Sequence, residues 1–371
     1  MKRLFIYQIL ILSLTFTACH DENDDNAETN SNDTPNQDVY CYETCDTQSL
    51  KQCVSGNVSV CETDENGCAH WQVSEICASD TVCDATSLTC KTRTDTQTRQ
   101  KIRFMAGNIT SGTYQTYDFG HGNRIFQAMA PDIVMIQEFN IKSKTREQFV
   151  AAVFGEDFTF SMSDNNIPNG IISRYPIVSS GFWESNIASS RNWDWAVIDI
   201  PGDTDLLAVS VHLHTKNNPE EIPVLTQKIQ EKQAEGNYYV VLGGDFNTSK
   251  RDDVLKNMGS VFNVRGPWPI DQNGREGTDE NRNEKPLTSQ RPLDWLLFSQ
   301  NLDVYEIPIQ IGKHTYADGH ILDSRVYAGL CEVHAHENEL ADIPPVEAGD
   351  SDAEAMQHMA VIRDVMIPVE N

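Results

Sequence analysis

The sequence predicts an α/β domain with mixed sheets over residues 101–371, and three observations carry that prediction. Apolar runs of strand length alternate with helical stretches. One pair of runs is separated by little more than Pro201-Gly202-Asp203, so hairpins and helical crossovers occur in one domain. Polar or ionisable residues recur where apolar runs end, which is where an α/β crevice collects its ligands.

Ahead of that domain the chain changes texture several times. Lys2 and Arg3 precede an apolar run, 4–16, and then Thr17-Ala18-Cys19, the pattern of a secretory signal. A cysteine directly after the small residue resembles a bacterial lipobox, so lipidation is expected at Cys19 within a leader of residues 1–19. The run is shorter than the ~20 residues a crossing needs, and no later stretch is apolar enough to span. The expected product is exported and held to the bacterial envelope by lipid alone, at the outer membrane or the cell surface. Residues 20–40 are acidic and polar and read as a solvated linker. Eight of the ten cysteines fall between Cys41 and Cys90, which predicts four disulfides in a module over 41–91. Zinc ligation competes, but paired C-x-x-C units are missing. A core that small needs cross-links, and a stalk or protein-binding module is the expected role. Residues 92–100 form a second, Thr-rich linker.

The net charge is −27, with 6 basic and 16 acidic residues before position 101 and 22 and 39 from there on. No basic domain is hidden behind an acidic tail. Tight nonspecific nucleic-acid binding, which needs phosphate-neutralising cations, is disfavoured unless a local basic groove or a metal serves.

Within the domain the patterning predicts a strand at 102–108, a helix at 120–130, a buried strand at 133–138 and a helix at 144–154. Strands follow at 158–163 and 170–174, then the hairpin pair 195–200 and 206–212. A helix over 219–236 has Pro219 near its start, Glu220 and Glu221 in its first turn and Gly236 at its end, with Pro223 assigned to the first turn. The strand 238–247 comes next, then a helix at 252–258, the strand 293–298 and a closing strand from Met359. Gly243 and Gly244 let that backbone turn tightly or lie close to a neighbour. Asp245 and Asn247, at the strand's end, can face one crevice. An acid that takes a proton beside an amide that donates a hydrogen bond suits attack of water on a phosphate ester. An Asx turn is the alternative reading of the same residues.

Seven short pieces stand in one order: Phe104-Met105-Ala106-Gly107-Asn108, Ile136-Gln137-Glu138, Asn169-Gly170-Ile171-Ile172-Ser173-Arg174, Val209-Ser210-Val211-His212, Gly244-Asp245-Phe246-Asn247, Pro292-Leu293-Asp294-Trp295 and Gln357-His358-Met359. In that order they resemble the endonuclease/exonuclease/phosphatase superfamily over nearly all of 101–371. The resemblance implies a four-layer α/β sandwich, two packed mixed β-sheets flanked by helices, and phosphoester hydrolysis with Mg²⁺, or Mn²⁺ or Ca²⁺. It assigns metal binding to Glu138 and Asn108 and activation of water to Asp245. Asn247 and His358 would hold the phosphoryl group, with Asp294 orienting His358. His212 is the candidate general acid, and Asn169 and Arg174 are candidate phosphate contacts, with Arg191 a further cation.

One departure is visible. The family has Ser-Asp-His before its last strand, and this chain has Met356-Gln357-His358, which puts a second metal site in doubt. An alternative alignment at Leu322-Asp323-Ser324-Arg325 keeps an acid and loses the histidine. An insertion over 312–356 holds His314, His320, Cys331, His334 and His336, read as a solvated loop, with a transition-metal site at Cys331, His334 and His336 as the other reading. The expected activity is a metal-dependent phosphodiesterase, a nuclease first. Alternatives are a sphingomyelinase-like or other phospholipid or inositol-phosphate phosphodiesterase and a non-catalytic binding protein. The expected partners are a phosphodiester substrate, nucleic acid before phospholipid, and the membrane through the lipid anchor.

Overall fold

The computed structural model of the chain describes residues 49–369 apart from intervening stretches, the longest being 110–116, 249–254, 279–290 and 327–345. Cys19, Gln357, Cys331, His334 and His336, and the expectations attached to them, lie outside the described residues.

Two small antiparallel sheets come first: β1 (Lys51–Val54), β2 (Asn57–Thr63) and β3 (Ala69–Glu75) in order, then the hairpin of β4 (Thr81–Asp84) and β5 (Thr89–Thr92). Disulfides join Cys53 to Cys83 and Cys77 to Cys90, and Cys61 is also disulfide-bonded. Val58 packs on Cys77 and Cys83, so the cross-links themselves form much of this apolar cluster.

The chain then runs through β6 (Thr98–Gly107), α1 (His121–Met129), β7 (Ile133–Ile136), α2 (Arg146–Val153), β8 (Thr159–Met162) and β9 (Gly170–Ser173). Next come β10 (Ile177–Glu184), β11 (Asn192–Ile198), β12 (Leu206–His212), α3 (Asn218–Gln233), β13 (Tyr239–Asp245) and β14 (Asp294–Phe298). A short helix α4 (Gln300–Asp303) leads to β15 (Glu306–Ile307), β16 (Ile309–Ile311), β17 (His314–Tyr316), β18 (His320–Leu322) and the closing β19 (Ala360–Val369).

These strands build two large sheets, with β16 and β17 paired apart from them. One has the order β15-β19-β6-β7-β9-β8, with β18 on β19; the other is β10-β11-β12-β13-β14. Only β6–β7 and β12–β13 are parallel in them, and these pairs have α1 and α3 between their strands, since a parallel pair needs a crossover. The helices α1 and α2 lie against the larger sheet and α3 against the outer face of the other. Phe126 of α1 and Phe149 of α2 join the larger apolar cluster, while Ile222, Leu225 and Ile229 of α3 join a second with Leu207, Val240 and Leu242. The inner faces meet at Gly243, where a Cβ would come within 2.8 Å of the Ala106 Cβ. The result is the expected four-layer sandwich of helices, sheet, sheet and helix.

The structure corrects several details. Pro223 is the sixth residue of α3, beyond its first turn, so its missing N–H removes a bond the helix would otherwise make. Of the helix expected at 252–258, residues 252–254 lie outside the described residues, Leu255 is helical and a 3-10 turn follows at Lys256–Met258. The 312–356 insertion is not simply a loop, because β17 and β18 lie in it and His320 is fully buried between Ile270 and Ile362. β10 was not foreseen: its central residues are exposed serines, so it lacks an apolar run.

Buried charge is paired. Arg103 donates from Nε and Nη2 to Asp364, and Arg363 donates from the same two atoms to Glu306, at 2.5–2.9 Å. Asp194 of β11 is held by Ser163 instead: its carboxylate accepts the hydroxyl, at 2.9 Å, and the backbone N–H of that residue, and burial pushes its pKa up to about 7. Between the ordinary carboxylate range and pH 7 the folded state therefore binds a proton that the unfolded chain has released. Stability contributed here falls as pH rises through that window and is flat above it. Asp194→Asn keeps the shape and removes the titration. Thermal melts at pH 5 and pH 8 should show the variant gaining on the native protein by on the order of 1–3 kcal/mol at the higher pH. An unchanged difference would exclude this account.

Candidate active site

Alternation along each strand decides which side chains enter the space between the sheets. On β13, Val241 faces inward and Val240 and Leu242 outward, so Asp245 faces inward. The same parity applies to His212, two steps from Ser210 and four from Ala208, and to Asp294, two steps from Leu296. Register does the rest. His212 lies opposite Asp245, and Asp245 opposite Asp294, so three adjacent strands present a row of inward-facing side chains at one edge of the sandwich. Gly244 permits the turn that ends β13, because its backbone is left-handed (φ 137°) and a Cβ there would lie 2.0 Å from the Val211 carbonyl oxygen.

The facing sheet supplies the other half. β6 ends before Asn108 and β7 before Glu138, whose backbone is itself left-handed (φ 48°). The Asn108 Nδ2 donates to Glu138 Oε1 at 3.1 Å and reaches Asp245 Oδ2 at 3.5 Å, so one amide spans the gap between the sheets. Its backbone N–H donates to Asp294 Oδ1 at 2.9 Å. His358 Nδ1 stands 2.8 Å from Asp294 Oδ2 and 3.8 Å from Asp245 Oδ2. His212 Nε2 is 3.3 Å from the same Asp245 oxygen, and its Nδ1 is 4.0 Å from Glu138 Oε1. Asn247, at φ 51°, donates from Nδ2 to Asp245 Oδ2 at 3.2 Å and to the Leu213 carbonyl at 2.9 Å.

Six of these seven residues are buried, and the low dielectric shapes their charge. Burial pushes Asp245 up to about 7; His358 opposes that shift and Asp294 adds to it. Burial, followed by the positive charges of Arg191 and His358, holds the His212 ring well below its usual range, so it is neutral. The Asp294 carboxylate faces His358 Nδ1 as its nearest acid.

Glu138 and the Asn108 side chain offer hard oxygen donors, the set a Mg²⁺- or Ca²⁺-type cation takes. Asp245, Asp294 and His358 form a second group whose donor atoms lie within 4.8 Å of one another. Several carboxylates converging in a buried crevice with neutral His212 favour a divalent cation, which offsets their mutual repulsion.

The structure thus brings together Asn108, Glu138, His212, Asp245, Asn247, Asp294 and His358. Asn169 is at this edge too, fully buried, where its Nδ2 donates to the Asn192 carbonyl at 2.6 Å. Arg174 is a correction. In the β7–β9 pairing Gly170 lies opposite Ile136 and Ser173 opposite Ile133, so Arg174 is carried to the far end of the sheet from Glu138. There it pairs with Asp132 at 3.2 Å and lies over Phe158, so it does not contact a phosphate in this crevice. Arg191, in contrast, donates to the Leu213 carbonyl at 2.8 Å beside His212.

Sequence reasoning missed residues that hold the others in place. Thr278 Oγ1 accepts from the Leu293 and Asp294 N–H groups, and its carbonyl accepts from Met359 N, so it ties Asp294 to the His358 segment. Gln137 Nε2 donates to Ser210 Oγ at 2.9 Å, and the Tyr117 hydroxyl to the Gln137 carbonyl at 3.2 Å. Thr278 and Tyr117 sit in no informative run, and Gln137 and Ser210 stand inside two of the quoted pieces without a role being read for them.

A profile of the Endonuclease/Exonuclease/phosphatase family matches residues 123–316, a span that includes Glu138, His212, Asp245, Asn247 and Asp294. No curated protein matches the chain. Among solved structures, an endonuclease/exonuclease/phosphatase family protein from Bacteroides thetaiotaomicron is 15% identical, with 73% of this chain and 97% of that chain covered and a TM-score of 0.50. A mannosyl-6-phosphatase from the same organism is 15% identical over 72% and 99% of the two chains, at a TM-score of 0.48. Truncated TDP2 from Caenorhabditis elegans is 13% identical over 72% and 98%, at 0.45. The first of these likenesses shows the fold.

Proposed function

The chain belongs to the Endonuclease/Exonuclease/phosphatase family and is a hydrolase of phosphoester bonds, and from that premise we propose a metal-dependent phosphodiesterase, specifically a nuclease. One observation carries the reading: Asn108 bridges Glu138 and Asp245 across the gap between the sheets, with His212 and His358 both within 4 Å of the Asp245 carboxylate.

Asp245 takes the proton of the attacking water. Its N–H···O bonds from Asn247 and Asn108 aim the carboxylate, and the raised pKa brings its basicity close to neutral pH, where a general base works best. Asn247 and His358 hold the phosphoryl oxygens. His212, kept neutral, serves as a hydrogen-bond donor near the leaving oxygen, and delivery of the proton falls to His358 with its Asp294 partner. Glu138 and Asn108 would hold the cation, Mg²⁺ in this reading with Mn²⁺ or Ca²⁺ as substitutes. When bound it supplies positive charge against the phosphate.

Export through the leader, lipidation at Cys19 and a stalk role for the 41–91 module complete the proposal. They rest on the sequence pattern and on the disulfides, which suit an oxidising compartment. Turnover of bis(p-nitrophenyl) phosphate with Mg²⁺ should vanish in EDTA and return on readdition. Glu138→Gln should raise the Mg²⁺ concentration needed for half-maximal rate by tenfold or more, since one anionic ligand is lost. A rate indifferent to EDTA and to Glu138→Gln would overturn the metal assignment. Plasmid nicking measured against sphingomyelin cleavage decides the substrate branch, and cleavage of sphingomyelin alone would refute the nuclease.

A further inference from the structure

Four loops frame the Glu138–His212 half of the crevice, and hydrogen bonds knit them into one rim. Phe139 N donates to the Pro168 carbonyl and Ile167 N to the Ser190 carbonyl. Arg146 Nε donates to the Phe139 carbonyl, Asn140 Nδ2 to the Asn166 carbonyl and Arg191 Nη1 to the Leu213 carbonyl. The loops are thus 139–146, 163–169, 185–187 with 190–191, and 213–216, the first and last of them following directly on Glu138 and His212.

Their charge is the reverse of the chain's. Over the whole sequence acids outnumber bases 55 to 28, yet these four loops hold Lys142, Lys144, Arg146, Arg191 and Lys216 against one acid, Asp164. The stretches around Asp294 and His358 show no such excess of bases: in 266–278 and 346–353 Asp271 pairs with Arg275 and Glu347 and Asp350 face Arg124, with Glu276 and Asp352 besides and Arg291 beside Thr278. Basic side chains are therefore concentrated on the Glu138–His212 side of the described crevice. Arg146 and Arg191 are engaged with backbone carbonyls, whereas Lys142 and Lys216 are exposed and Lys144 half-buried at the rim.

A small phosphate ester needs no charge beyond the catalytic groups. A polymer brings further phosphates, which an acidic protein of net charge −27 repels everywhere but at such a rim. We infer that the rim of 139–146, 163–169, 190–191 and 213–216 is a nucleic-acid track, on which Lys142, Lys144 and Lys216 neutralise phosphates flanking the scissile one, so that the strand leaves the crevice over this half and not over the Asp294–His358 half. This inference rests on the phosphodiesterase reading for the position of the scissile bond, and not for the binding itself.

The test uses the full chain, a fluorescent single-stranded oligodeoxynucleotide, EDTA to prevent cleavage, and anisotropy over a range of salt. Each phosphate neutralised contributes about 0.7 to the slope of log affinity against log salt for single strands. Lys142→Glu/Lys144→Glu/Lys216→Glu should therefore lower the slope by about 2 and weaken binding at low salt at least tenfold. Its turnover of bis(p-nitrophenyl) phosphate should match the native protein. Glu276→Gln/Glu347→Gln, on the other half, should leave the slope unchanged. Equal slopes for the native and triple-lysine proteins, an equal shift in the acidic-side variant, or tighter lysine-dependent binding to phosphatidylglycerol vesicles than to the oligonucleotide would each overturn the track. Lysine-dependent binding with no turnover of any diester would uphold the track while refuting the catalytic reading.

Discussion

Asp245→Asn is expected to lower turnover by about 10²–10⁴-fold, the range a positioned general base supplies, and at the same time to raise the melting temperature. Both effects have one cause. The carboxylate sits in a buried crevice with His212, His358 and Asp294 around it, and burial disfavours its charge enough to bring the pKa up to about 7. Asparagine keeps the shape and, through its one oxygen, the bond from the Asn247 N–H; it gives up acceptance from the Asn108 and Asn247 amides, removes the buried charge and cannot take a proton. Gain of stability with loss of rate is the signature of a group retained for chemistry. Steady-state kinetics with Mg²⁺ and a melt in EDTA check it. A variant that loses activity and also melts lower would mark Asp245 as a structural anchor, and unchanged turnover would remove it from the mechanism.

Gly244→Ala should be the most damaging single methyl in the molecule. At φ 137° an L side chain is strained, and the new Cβ would lie 2.0 Å from the Val211 carbonyl oxygen and 2.7 Å from Gln137 Nε2. The carbonyl belongs to the central strand β12 and cannot yield, so a loss of about 3 kcal/mol or more is expected. Gly274→Ala is the control: its backbone is also left-handed (φ 75°), but nothing lies within 4 Å of the added Cβ. That variant should lose only about 1 kcal/mol. Urea denaturation of the two compares a clash with bare backbone strain, and similar losses would show that the contact with Val211 is relieved by movement of β13.

Much of the arrangement is legible in the order of the residues. The runs ending at Asn108, Glu138, His212 and Asp245 are apolar because both faces of those strands are covered, and a polar residue at such an end has only the crevice to enter. β10 escaped notice for the complementary reason: as an edge strand exposed on much of its length, it carries Ser179 and Ser180 where a central strand carries valines. β17 and β18 are three residues each, too short to show a period. Thr278 is the clearest omission at the site, since its role consists of hydrogen bonds to backbone at Leu293, Asp294 and Met359, and nothing in a local window predicts them.

The amino-acid order alone determined which chemical groups stand at the ends of which strands, and through the two-residue repeat it determined that His212, Asp245 and Asp294 share a face with Ala208, Val241 and Leu296. Only the folded chain decided that these ends coincide. Residue 212 meets 245 through a parallel pairing and 245 meets 294 through an antiparallel one, while Asn108 arrives from the other sheet. Those registers are set by packing between segments far apart in the chain, and the antiparallel turn of β9 that carries Arg174 to the opposite end of its sheet is set in the same way. A run of residues fixes which way its own side chains face; which neighbour it lies beside is fixed by the apolar surfaces that both must cover.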